Sequence, residues 1–363
     1  MPINHKWLAM PQIKILTVFL VILLTCAAQA EEKDKSGAEK ETKPSKWIGA
    51  PLITSDPKVS TAVGAMGGYI HTFDEMSPPS IFAVTGTYST TDSWYAGIFA
   101  KTYFAEDRHR LIAGAMTGQI RNDYDDFLGS GLPAQTTDDL SLYILRYMMQ
   151  VHGHWYAGLQ GISTNYAISG DDYLSGEIIQ QVGLTGFDSN GIGLYAQYDT
   201  RDNQYSPATG QMFEAHNVAY RKGLGGDVSF DTYTVDYRYF LPHDKENVLA
   251  MHAKGRWTQD APPSGYSSVD FRGYTRGQYL APYMTLAEIE ERYSLKGKWG
   301  LAVFAGLAVL YGGDAFEGSD QLFPSGGGGV TYEMNEEKMV IRADIAVGKD
   351  DNWGFYLQFG QPF

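Results

Sequence analysis

His152 and His154 stand two residues apart, a spacing that puts both imidazoles on one face of a strand, where they could hold a metal ion. No third ligand stands near them in the sequence, and Trp155 and Tyr156 follow at once. They read as interfacial histidines beside an aromatic girdle. Asp199 and Arg201 have the spacing of a salt bridge closing a turn, and Pro207 and Gly210 suit turn geometry. Arg342 and Asp344 also share a strand face and can pair with each other. Gly326 to Gly329 is a glycine run without the Lys that a nucleotide site needs. There is no phosphate loop, nucleophile elbow or zinc signature. These residues point to structural polar chemistry; neither an enzyme nor a bound cofactor is expected.

The elements that must position them are strands. Of 363 residues, 44% are hydrophobic, 13% aromatic and 19% charged, with 41 Gly and 25 Tyr. Charge is low against the roughly 25% of an average soluble domain, and disorder of the bulk is excluded. A net charge of −14 argues against nucleic acid as a partner. Lys6 and Lys14, the apolar run Ile15 to Leu24 and Ala28-Gln29-Ala30 make residues 1–30 a signal peptide. Its apolar run is shorter than the ~20 residues of a spanning helix. Cys26 could mark a lipoprotein signal, but Thr25 before it fits poorly. Cleavage after Ala30 removes the one Cys and two Lys, so the net charge becomes −16. Residues 31–46 are almost wholly charged or polar and read as a disordered linker. Folded structure is expected over 47–363.

That stretch alternates with a period of two. Tyr233, Val235, Tyr237 and Tyr239 oppose Thr232, Thr234, Asp236 and Arg238; Met339, Ile341, Ala343, Ile345 and Val347 oppose Arg342 and Asp344. Segments of about 10 residues with aromatics at their ends suit tilted strands crossing a bilayer, and such a sheet must close. The fold class is therefore all-β, a transmembrane antiparallel β-barrel. Fifteen segments can be counted between residues 60 and 361, the first containing Gly64, Gly67 and Gly68. Bacterial single-chain barrels have even counts, and both ends should be periplasmic. With Asp199 at the lower end of an even-numbered strand, the missing strand must precede it, and Gly176 to Gly186 is the segment expected. The total becomes 16.

The long connection Thr258 to Pro282 carries Val269-Asp270-Phe271-Arg272-Gly273-Tyr274 and, by parity, follows strand 11 on the extracellular side. Tyr198 to Asn203 with Pro207 and Gly210, Arg342 to Asp350, and Phe355 to Phe363 complete an ordered set. In this set the chain resembles the BamA/TamA superfamily of outer-membrane barrels, the bacterial surface antigen proteins. The match is most specific over 189–363. The resemblance implies that Arg272, Gly273 and Tyr274 form the tip of a loop folded into the lumen, with Arg272 latched to an acid on the wall. It also implies a periplasmic turn at Asp199, Arg201, Asp202, Pro207 and Gly210. Phe355, Leu357, Phe359 and Phe363 would form a C-terminal recognition strand. The family's usual acid lies in a Phe-x-Asp-x-Gly strand, and Gly306 stands in its place here. Asp344, luminal by alternation, is the substitute, with Glu288 and Glu290 behind it.

Members of this superfamily insert barrels into the outer membrane or pass polypeptides across it, usually with periplasmic receptor modules. The linker 31–46 occupies the place of those modules. The resemblance thus implies an outer-membrane protein acting in assembly or translocation, in contact with outer-membrane lipid and lipopolysaccharide. It would work as a homodimer or with a separate periplasmic partner. The alternative is a passive channel for small solutes or ions.

Overall fold

The computed structural model describes residues 45–56, 60–124, 134–170, 187–274, 277–313 and 321–363. Strands β1 (Trp47–Asp56), β2 (Ser60–His71), β3 (Ser80–Ser89), β4 (Trp94–Phe104), β5 (His109–Tyr124) and β6 (Ala134–His152) come first. They are followed by β7 (Trp155–Gly170), β8 (Phe187–Asp199), β9 (Gly210–Tyr220), β10 (Phe230–His243) and β11 (Asn247–Gln259). Two-residue strands β12 (Ser267–Ser268) and β13 (Leu280–Ala281) pair with each other inside the long connection. The last five are β14 (Tyr283–Ser294), β15 (Trp299–Tyr311), β16 (Gln321–Glu333), β17 (Val340–Gly348) and β18 (Trp353–Phe359). All but β12 and β13 form one closed antiparallel barrel, in which β1 meets β18.

The barrel has sixteen strands, but the sixteenth is not where the sequence placed it. β7 pairs directly with β8, from Trp155 opposite Tyr198 to Tyr166 opposite Phe187. The ladder has no vacancy there, and residues 176–186 lie outside the described residues. The missing strand is β1, so the glycine-rich segment around Gly64 to Gly68 is the second strand. Its sequence hid it, because Gly49 and Pro51 interrupt the alternation and proline is confined to strand edges. β1 lies at the seam, where its ladder to β18 stops short of Pro51. The expected signal peptide, and the linker as far as Pro44, also fall outside the described residues.

Alternation sorts the side chains as a bilayer demands. Tyr233, Leu301, Val303, Ile345 and Val347 are exposed on the outer face, while Thr232, Asp236, Arg342 and Asp344 are buried. Aromatic pairs stand at strand ends, such as Trp47–Tyr69 at 5.0 Å between centroids, Trp155–Tyr198 at 5.1 Å and Trp299–Tyr332 at 5.0 Å. The shortest connection, between β6 and β7, shares one side of the barrel with both ends of the ladder, and that is the periplasmic side by the pattern of bacterial barrels.

The β1–β18 seam differs from every other junction. Among the described residues only three register pairs hold it, Ile53–Leu357, Thr54–Tyr356 and Ser55–Phe355. By contrast β1 and β2 match over ten, and β17 and β18 over seven. Beyond Ile53 the ladder would bring Pro51 opposite Phe359, and Pro51 has no N–H to donate. One residue later Gly360 takes φ +89° and leads the chain away from the sheet.

Candidate functional site

β14 and β17 bring their charged residues to the lumen by alternation. Glu288, Glu290 and Arg292 point inward from β14, and Arg342 and Asp344 from β17. Apart from Phe304, whose ring carries Arg272, the strands between them carry small luminal residues at the matching registers. Glu290 lies opposite Phe304, then Gly327, then Ala346; Arg292 lies opposite Ala302, then Gly329, then Asp344. A side chain on Gly327 would run into the Phe304 ring and the Ile345 carbonyl, and one on Gly329 into the Asp344 carboxylate. The glycine run is therefore a gap through which β14 and β17 touch.

Arg272 descends into that gap from the long loop. Its Nη1 donates to Asp344 Oδ2 at 3.1 Å and its Nη2 to Glu290 Oε2 at 2.9 Å, with Glu288 Oε1 also on Nη2. The guanidinium lies over the Phe304 ring, 3.4 Å from its centroid. All three acids named from the sequence meet Arg272 together. Arg342 makes the expected pair with Asp344 and one more with Glu290, and Arg292 is a partner the sequence reading did not name. Arg342 binds Glu290 through Nη1 and Nη2, both at 2.8 Å, and Asp344 through Nε at 2.7 Å. Arg292 Nε donates to Glu290 Oε1 at 2.7 Å. Three guanidinium groups and three carboxylates thus form one balanced cluster. Balance matters, because an unpaired charge left in such a place costs about 3–5 kcal/mol.

The rest of the loop tip explains why these residue types are needed. Gly273 has φ +91°, and a side chain there would press on the Val347 backbone. Its N–H donates to the Tyr356 hydroxyl at 3.0 Å. The Tyr274 hydroxyl donates to the Pro324 carbonyl at 2.5 Å and accepts from the Lys349 N–H at 2.9 Å. Phe271, Tyr274, Met284, Leu286, Leu310 and Phe323 close an apolar cluster above the charges. Gly306 is explained as well. A side chain there would collide with the Phe271 ring, so an aromatic from the loop occupies the place of the family's wall acid.

The turn after β8 does more than close a hairpin. Arg201 Nε pairs with Asp199 Oδ1 at 2.9 Å, and Arg110 from β5 reaches Asp199 Oδ2 at 2.7 Å. Asp202 Oδ1 accepts the Ala208 and Thr209 N–H groups at 2.9 and 3.1 Å. Pro207 is buried, and Gly210, at φ +97°, lies against the Thr200 carbonyl where no side chain fits. The tip then crosses to distant parts of the rim. The Tyr205 hydroxyl donates to the Pro79 carbonyl at 2.6 Å, Asn203 Nδ2 to the Glu337 carbonyl at 3.2 Å, and Ser206 Oγ accepts from Gln361 at 3.2 Å. These contacts lie on both flanks of the seam.

Phe355, Leu357 and Phe359 belong to β18, but Phe363 lies beyond the end of that strand rather than within it. It is buried in the lumen with Phe240, Val248 and Ala250. His154 is exposed, its ring edge-on to Tyr198 at 6.1 Å. Among the described residues no group of three or more His, Cys, Asp or Glu side chains could hold a metal ion.

Among solved structures, the fold is similar to BamA from Haemophilus ducreyi lacking POTRA domains 1–3, with TM-score 0.55 and 12% identity, covering 86% of this chain and 70% of that one. It is also similar to CdiB from Acinetobacter baumannii (TM-score 0.57, 13% identity, 87% and 60% coverage) and CdiB from Escherichia coli (0.59, 11%, 89% and 66%). This chain thus spans three-fifths to seven-tenths of their lengths, and at these identities the likeness is one of fold. No curated protein matches the sequence. The family model described as the Omp85 superfamily domain matches residues 81–363, which include fourteen of the sixteen barrel strands and the whole latched loop. With a sixteen-strand barrel and an Arg-Gly-Tyr tip folded against the wall between β14 and β17, the chain belongs to the Omp85 superfamily.

Proposed function

We propose that this barrel acts at the outer membrane in the assembly of other outer-membrane proteins or the passage of polypeptides, using the β1–β18 seam. The three-pair seam is the observation that carries this reading. Unpaired strand edges are templates for another strand, and in lipid they must be satisfied by a partner. A seam with few ladder bonds and Pro51 beside them costs less to open than any other junction. An export signal at 1–30 and contact with outer-membrane lipid and lipopolysaccharide belong to the same reading, as does a homodimer or a separate periplasmic partner. A passive channel needs an open lumen, whereas the latched loop and the tail around Phe363 stand inside this one.

Depletion of the protein tests the reading. The abundance of other barrels in the outer membrane should fall, with liposome swelling by the purified protein no faster than that of protein-free liposomes. Unchanged barrel abundance together with solute-dependent swelling would sink assembly and favour the channel.

A further inference from the structure

A groove of about 1030 Å³ crosses the lipid-facing wall over β1 to β8. Its axis is a line of register partners that starts Ile48–Gly68–Ala83 and ends Ile144–Ile162–Gly191. Those residues face the lumen, so the neighbours on either side of each face outward and shape the groove. Among them Val84, Ile98, Leu145 and Ile192 are 58–62% exposed. Gly67, Ala100, Ala113, Ala115, Gly161 and Ser163 keep the floor low, and no lining residue is charged. Seven interstrand steps of about 4.8 Å make the groove roughly 34 Å long. At a strand tilt of about 45° it climbs roughly 24 Å, close to the ~25 Å apolar band of such barrels.

Hydrocarbon chains fit this groove and polypeptide does not. Outward residues two apart on a strand stand only about 7 Å apart, against the roughly 10–12 Å width of an α-helix. β2 to β8 are each paired on both sides, so they offer a polypeptide strand no ladder bond. A polymethylene chain needs none. A convex wall touches a lipid chain on one side, whereas a groove surrounds it and multiplies its dispersion contacts. The two ends of the groove differ in charge. At the periplasmic end Trp47 packs on Tyr69, and Lys46, which accepts the Ile70 N–H, forms no ion pair among the described residues. Trp and Tyr belong at headgroup level, and a Lys there attracts lipid phosphate. At the extracellular end, beyond Leu224, the turn carries Arg221, Lys222, Asp227 and Asp231 and rests on Asp188. A phosphate there would meet three acids against two cations.

We propose that this groove is a binding site for one phospholipid of the periplasmic leaflet, its acyl chains laid along the groove and its phosphate at Lys46 beside Trp47 and Tyr69. The site rests on the membrane placement in the reading above and is independent of the assembly role.

The test titrates the delipidated full-length protein in detergent micelles with palmitoyl-oleoyl phosphatidylglycerol and reads bound lipid by native mass spectrometry. One phospholipid should bind saturably, and diacylglycerol with the same chains at least tenfold more weakly. Gly161→Leu/Ala115→Leu fills the floor and should weaken binding at least tenfold; a side chain on Gly161 meets nothing within 4 Å. Lys46→Gln should weaken it at least threefold, while Ala305→Leu, exposed on the outer face of β15, should change nothing. Binding that never saturates, or equal weakening by Ala305→Leu, means annular lipid only and overturns the proposal. Tighter binding of lipid A that depends on Lys222 would put the headgroup in the other leaflet and overturn it too. If the filled variant yields no heat-modifiable barrel, the unaltered chain is photolysed with a phosphatidylglycerol carrying a diazirine in its acyl chain. Crosslinks concentrated on residues 113–115, 143–145 and 161–163 support the groove; crosslinks spread evenly around the barrel overturn it. Failure here with other barrels still falling on depletion would leave the assembly reading standing, and saturable binding without that fall would keep the groove and defeat the assembly reading.

Discussion

Arg342 Nη2 lies 2.8 Å from Glu290 Oε2, and neither side chain has any exposed surface, although two whole strands separate them in the barrel wall. They meet because luminal Ala302, Gly327 and Gly329 on the strands between present almost nothing inward. Glu290 is the shared partner of all three guanidinium groups in the cluster.

Glu290→Gln should therefore be the most damaging single change among the three acids. It leaves Arg272, Arg292 and Arg342 facing two carboxylates, and the cost of an uncompensated buried charge is about 3–5 kcal/mol. Glu288→Gln removes an acid that, among the described residues, is ion-paired with Arg272 alone, and it should cost less. Urea unfolding in micelles, followed by tryptophan fluorescence, checks the order. A midpoint for Glu290→Gln equal to that of Glu288→Gln would contradict the shared-partner account.

Gly306→Asp would restore the family's wall acid and should nonetheless harm this protein. The new side chain collides with Phe271 and adds a fourth carboxylate to a balanced cluster. Overpacking of this kind costs about 1–3 kcal/mol, and the loop over residues 260–282 should become cleavable by added protease. Phe271→Ala in the same chain should return at least half of the protease resistance. Cleavage as rapid in the double variant as in Gly306→Asp would show that the ring is not the obstacle.

How much of this was legible in the sequence follows from what alternation can and cannot carry. It placed Asp344, Glu288 and Glu290 on the luminal face, because a strand's period of two fixes the face of every residue. It ranked Asp344 first but could not show that all three meet Arg272, since that depends on how far side chains reach across β15 and β16. That distance is set by glycines whose effect is a gap rather than a contact. Parity required a sixteenth strand before Asp199 but could not locate it, as β1 is the strand whose pattern Pro51 spoils. Phe363 was placed in one strand with Phe355, Leu357 and Phe359, and that strand stops at Gly360, where a positive φ turns the chain away. Arg110 and Tyr205 gave no local signal, because their partners stand 89 and 126 residues away.

Acid should loosen one contact on the periplasmic rim before it touches the barrel. Desolvation pushes the Asp74 carboxyl up, but hydrogen bonds from the Ser77 hydroxyl and the N–H groups of Glu106, Met76 and Ser77 outweigh it and hold the group below its ordinary value of 3.8. A lowered folded-state pKa stabilises the ionised form. The contribution is complete above the unfolded value and is lost as pH falls through the folded one. Amide protection factors at Ser77 and Glu106 should therefore be constant from pH 7 to about 5 and drop below pH 4. Asp74→Asn should show the low protection at every pH; a variant that keeps the acid drop would place its cause elsewhere.

The turn over residues 200–209 should act as a strap across the periplasmic mouth, and ion flow is the sensitive measure. Its tip is tied to Pro79 on the β1 flank of the seam and to Glu337 and Gln361 on the β18 flank. A strap fixed on both sides blocks the mouth and, by the same bonds, opposes separation of the flanks. Each neutral hydrogen bond contributes only about 0.5–1.5 kcal/mol, so losing one should leave the strap mostly in place. Tyr205→Phe/Asn203→Ala removes two and should shift the open fraction by roughly 1–3 kcal/mol, on the order of five- to a hundredfold. In planar bilayers the unaltered protein should show rare, brief openings, and the double variant frequent ones of the same amplitude. An unchanged opening frequency would mean that the mouth is closed by something other than the strap. Openings of larger amplitude would instead mean that the strap lies within the conducting path and narrows it even when the mouth is open.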